Sequence, residues 1–153
     1  MALLLSGVVA AQYSDPDVDW KENSAPEAPA FDATRLIAVG SPRGSTLKFG
    51  IDPNTISIGS DGVVRYVVVA TGASGAASAL FEGIRCGTGE FRVYARHNTG
   101  DGWSKAGGSA WTSIFAEMPS RHPLAIARAG VCDGKAPNGP ISAMVRALRA
   151  SAR

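Results

Sequence analysis

Apolar residues come in short runs along most of this chain, and only its last stretch carries a helical period. From Arg35, the segments RLIAVG and TLKFGID flank Ser41, Pro42, Arg43 and Gly44, which predicts two strands joined as a hairpin. Asp52, Pro53 and Asn54 form a turn before the short run ISI. Gly59, Ser60, Asp61 and Gly62 form a tighter one, since Asp-Gly readily takes the positive φ of a hairpin loop. VVRYVVVAT is apolar on both faces apart from Arg65, the pattern of a central strand. ASALFEGIRC and EFRVYARH follow over connections too short for a crossover helix, so the three predict an antiparallel meander. DGWSKAGGSAWTSI reads as a loop and a short strand, and HPLAIARAGVC as one or two helical turns entered at Pro123. Ile141, Met144, Val145 and Leu148 fall at i, i+3, i+4 and i+7; Pro140 suits a first helical turn, with Asn138 or Gly139 as its cap. The fold expected is α+β: a mainly antiparallel sheet of five to six strands with a C-terminal amphipathic helix packed on it.

The start of the chain changes the picture. MALLLSGVVAA, residues 1–11, is shorter than the ~20 residues that cross a bilayer, and it fits the apolar stretch of a secretory signal peptide cut before Gln12. No Lys or Arg precedes it. Residues 12–34 then read as an acidic, Pro-rich leader and residues 35–153 as a single globular domain, with no transmembrane segment in the mature form. Two cysteines in an exported domain read as one disulfide, Cys86–Cys132. Closing a loop of that size stabilises a fold by about 4 kcal/mol on the chain-entropy model.

Charge is divided more sharply than the formal net of +2 suggests. Residues 1–34 hold six acids and one base, a balance of −5, and the remainder holds seven acids and fourteen bases, a balance of +7. The leader therefore either lies on the basic body or reaches a partner. The small net charge gives no reason to expect a specific nucleic acid. In the third strand of the meander, Phe91, Val93 and Ala95 are expected on one face and Arg92, Tyr94 and Arg96 on the other. Arg65, Arg85, Arg92 and Arg96, with Tyr94, would then form a basic ligand-binding surface for an envelope protein or an anionic polymer.

Catalytic signals are thin. Only His97 and His122 can supply an imidazole, and Ser60 lies in the turn sequence G-S-D-G rather than on a nucleophile elbow. No metal site and no cofactor is expected, and Trp103 and Trp111 are read as packing residues rather than a sugar-stacking platform. The expected function is a non-catalytic, periplasmic or secreted binding module. The alternative is a small hydrolase acting on envelope polymers, with His122 and Glu82 as its acid–base residues.

Several strings then stand in order: ISIGSDGVVRYVVVA, SGAAS and FEGIRCGTGEFRVYA, followed by Trp103 and Trp111, His122 ahead of the second cysteine, and the terminal helix. Together they resemble the family of cryptic neisserial protein one and its relatives, over roughly residues 18–150 from the Trp20-Lys21-Glu22 segment onward. The ordered pair DGVVRY and EGIRC is the specific part. The resemblance implies a small exported bacterial protein of the periplasm or envelope, one globular domain, and no catalytic set to carry over. Gly107, Gly108 and the Ala/Gly-rich segment before Cys132 depart from the pattern, which bears on local packing.

Overall fold

The computed structural model describes residues 18–41 and 43–153; the expected signal peptide and the start of the leader lie outside them. The strands are β1 (Ile37–Val39), β2 (Lys48–Ile51), β3 (Ser57–Ile58), β4 (Val63–Thr71), β5 (Ala77–Arg85), β6 (Glu90–Asn98), β7 (Gly102–Lys105), β8 (Thr112–Ser113), β9 (Cys132–Asp133) and β10 (Ala136–Pro137). Helix α1 (His122–Ile126) runs into a π-helical turn at Ala127–Val131, and α2 (Ile141–Ser151) ends the chain. The architecture is α+β. The main sheet is antiparallel in the order β1-β2-β4-β5-β6-β7, with β3 added to β4 and β8 to β6, while β9 and β10 form a separate ribbon. The valine-rich strand is central, and each of the nine residues of β4 has a partner on β5.

A central strand apolar on both faces needs cover on both sides. One face presents Val64, Tyr66, Val68, Ile84, Phe49 and Ile51 to α1, the π turn and α2, whose Ile126, Val131, Met144 and Leu148 are buried against it. The disulfide Cys86–Cys132 spans a Cα–Cα distance of 5.6 Å and ties the end of β5 to β9 beside this core. Gly130 lets the π turn press on α2: a Cβ there would lie 2.6 Å from the Cβ of Ala147, and its φ of 147° is one that side-chain-bearing residues avoid. The cap of α2 differs from expectation. Pro140 itself precedes the first turn, and the Asn138 amide instead donates to the Gly130 carbonyl at 2.9 Å, bracing the π turn.

The other face presents Val67, Val69, Ala79, Phe81 and Ala95, and it is covered by the leader. Residues 20–36 cross it without forming a strand, laying Ala28, Phe31 and Leu36 on that core. A polar anchor closes the arm near its junction with β1. Fully buried Asp52 accepts hydrogen bonds from the Asp32 amide at 2.8 Å, from Arg35 Nε at 3.1 Å and from the Asn54 amide at 3.0 Å. Burial pushes the Asp52 carboxyl up, but the Arg35 guanidinium and the two amides outweigh it and hold it below the usual carboxylate range.

One expectation about the meander fails for a local reason. Phe81 pairs with Ala95 and Glu82 with Val93, so Tyr94 is an extra residue in β6. Such a bulge reverses the alternation beyond it. Ala95 therefore joins Phe81 on the leader face, and Arg96, paired with Leu80, turns to the opposite face, away from Arg92 and Tyr94.

A carboxylate socket as the candidate functional site

On the leader face, Arg65 of β4 and Arg92 of β6 lie on either side of Gly83 in β5. A Cβ on Gly83 would meet the Val63 side chain at 2.8 Å and the Tyr94 ring and hydroxyl at 2.9 Å. The glycine thus leaves the slot in which the Tyr94 ring lies. The bulge aims Tyr94 into the same space, and Trp111 closes the third side. Into this socket the leader places Glu22. Its Oε1 accepts from the Tyr94 hydroxyl at 2.6 Å and from Arg65 Nη2 at 3.5 Å, and its Oε2 accepts from Arg92 Nη1 at 2.7 Å and from the Trp111 indole at 3.2 Å. Charge-assisted bonds of this kind are about twice as strong as neutral ones. Burial, and then the Glu22 carboxylate, push the Tyr94 phenol far above its ordinary range, which keeps it a donor.

A second layer holds the socket in shape. Arg65, with only 4% of its side chain exposed, also pairs with Asp61 through Nη2 at 2.8 Å. Asp61 accepts in addition from the Val63 and Asn23 amides at 3.1 and 2.9 Å, so the Asp-Gly turn is an anchor for the leader. Burial raises the Asp61 carboxyl, but Arg65 and these amides dominate and hold it low. Trp20 donates its indole N–H to the Asp61 carbonyl at 2.8 Å and meets Trp111 edge-on at 5.8 Å. Arg85 stacks 3.5 Å from the centre of the Trp20 ring and pairs with Glu90 at 3.2 Å.

The structure thus brings together four of the five expected ligand-binding residues, Arg65, Arg85, Arg92 and Tyr94, and separates Arg96 from them. It also shows which course the leader takes: from Trp20 on, it lies on the basic body. Glu22, Trp20 and Trp111 were missing from the sequence-derived set; for Glu22 the signal available was the opposite charge of leader and body. Trp103 packs edge-on against Phe31 and His97 on the same face.

The residues of the hydrolase alternative are also in contact. His122 Nε2 lies 2.8 Å from Glu82 Oε1, Ser120 Oγ lies 2.9 Å from Nδ1, and the Tyr66 hydroxyl donates to Glu82 at 3.3 Å. This cluster sits under the helical layer, with Glu82 fully buried, His122 at 6% exposure and its ring stacked on Phe49. Both imidazole nitrogens are engaged. Ser120 approaches as the residue two positions before the histidine, an arrangement that ties off the entry to α1.

Among the described residues no group of three or more His, Cys, Asp or Glu side chains is placed to hold a metal ion, and no helix is long and apolar enough to cross a membrane. Neither the curated proteins nor the solved structures contain a match to the chain. The family profile described as CNP1-like matches residues 15–149, and the chain belongs to that family.

Proposed function

We propose that this protein is a non-catalytic binding module of the bacterial cell envelope, periplasmic or secreted, that recognises a protein or an anionic envelope component through the socket of Arg65, Arg92 and Tyr94, with Arg85 at its side. The observation that carries this reading is the grip on the Glu22 carboxylate by four donors from β4, β6 and the segment before β8. The leader acts here as a tethered stand-in for the ligand. Arg96, on the other face, is not part of this site. A disulfide-closed domain is in keeping with an oxidising compartment.

A competition experiment tests the reading. A labelled peptide of residues 18–36 should bind a Trp20→Ala/Glu22→Ala chain, lose that binding when Arg92→Glu is added, and be displaced by periplasmic protein or purified anionic envelope polymer. A peptide that binds and is displaced by neither removes the proposed function. The hydrolase reading has its residues in contact, but Glu82 is fully buried and His122 nearly so, and this burial favours a structural tie.

A further inference from the structure

A second surface, on the far side of the disulfide from the leader, is open. A cleft of about 510 Å³ runs between the β5–β6 turn, Phe115, α1 and the β9–β10 turn, and its walls carry Leu124, Ala127, the disulfide, Arg128 and Lys135. An adjoining lobe of about 470 Å³ shares Leu124 and Arg128 with it and adds Arg43 and Arg121. Both volumes fall in the usual ligand-pocket range of ~300–1,000 Å³. Phe115, at 63% exposure, is the most exposed aromatic ring among the described residues, and it stands at the mouth of the first lobe. Four cations line the two lobes and, among the described residues, no acid does; Glu117 pairs with Arg121 from outside the lining at 2.6 Å. Gly87, Gly89 and Gly134 leave bare main chain along one wall.

The geometry points to a docking site for an acidic peptide segment of a partner protein, with an apolar side chain seated between Phe115 and Leu124 and flanking carboxylates on Arg128, Lys135 and Arg43. Three features select a peptide over an acyl chain. The apolar floor is short and open, the cationic lobe lies beside it rather than capping a tunnel, and the glycine wall allows close approach and hydrogen bonding by another main chain. Opposite charge across the contact steers association and fixes its register, and it weakens with salt. This site is separate from the carboxylate socket and stands whether or not the socket takes a ligand in trans.

The test uses the full chain with its leader docked and the synthetic hexapeptide Asp-Glu-Leu-Phe-Asp-Glu as probe. Amide NMR titration to millimolar peptide should move Gly87, Gly89, Gly134 and Leu124 while leaving Trp20 and Tyr94 in place. Arg128→Glu with Lys135→Glu, both at exposed positions, should weaken binding at least tenfold, whereas Arg149→Glu, exposed on α2 and outside both lobes, should not change it. No shift at the cleft, shifts at the socket instead, or a titration unchanged by the charge reversal would overturn the site. Vesicles of anionic phospholipid that perturb these amides where the peptide does not would assign the cleft to a membrane surface and also overturn it.

Discussion

The two faces of the sheet are closed by opposite means. On the helix face, periodic apolar side chains from α2 and the π turn interlock with Val64, Tyr66 and Val68, and the disulfide clamps the layer. On the leader face a segment with no regular structure is held at two polar points, Glu22 in the arginine socket and Asp52 beside Arg35, with aromatic rings filling in between. Apolar packing is non-directional and roughly proportional to area, so away from the Gly130–Ala147 contact and the Glu82–His122 pair the first face tolerates volume-conserving exchanges. Charged hydrogen bonds depend on particular atoms, so the second can be released by changing one of them. A binding surface that needs to open belongs on the second kind of face.

The largest effect that would break this contrast is expected on the helix face. Replacing both cysteines by serine, Cys86→Ser with Cys132→Ser, should lower the unfolding free energy by about 4 kcal/mol, the loop-closure value for this separation. Urea unfolding followed by tryptophan emission and by helical circular dichroism should shift together, since the sheet is shared. All three tryptophans, Trp20, Trp103 and Trp111, report on the leader face, while α2 reports on the other. Non-coincident curves would mean that the disulfide serves only its own side.

A smaller and one-sided effect is expected from Glu22→Ala. It deprives Arg65, Arg92, Tyr94 and Trp111 of their shared acceptor, a loss of about 1–3 kcal/mol for charged hydrogen bonds discounted for the partial exposure of Arg92. Protease cleavage within residues 24–34 should rise and the tryptophan emission should shift red, with amide exchange in α2 unchanged. Equal loss of protection on both faces would show that the leader is an integral part of the core rather than a releasable cover.

The same division explains what could be read from the chain. The meander, the closing helix and the cysteine pair follow from alternation, the i, i+3, i+4 spacing and the Cys count, because each signal is local or counts a rare residue. The socket is not periodic. Glu22 meets residues up to 89 positions away, and nothing within a window around it marks it among six acids of the leader. Strand alternation put Arg92 and Tyr94 on one face, as they are, yet it put Arg96 there too, whereas one extra residue at Tyr94 reverses every side chain that follows. The bulge that misleads the pattern is also what turns Tyr94 toward the carboxylate.

The mildest way to separate the faces is acid. Asp61 and Asp52 both have carboxyls held below their ordinary value of 3.8, and both tie the leader down, Asp61 through the Asn23 amide and Arg65, Asp52 through the Asp32 amide and Arg35. A carboxyl whose folded value is depressed contributes its full stabilisation above the unfolded value and loses it as pH falls through the folded one. The leader should therefore stay docked down to about pH 4 and loosen below it, while the disulfide-closed helix face, packed mainly through apolar contacts around the buried Glu82–His122 hydrogen bond, persists. Tryptophan emission should shift red at a higher pH than the one at which the helical signal falls. Asp61→Asn, which retains the shape of the turn and part of its hydrogen bonding but not its charge, should move the fluorescence transition and leave the helical one. A single transition seen equally by both probes would mean that the polar anchors and the apolar core open as one unit, and that the leader is not separately releasable by acid.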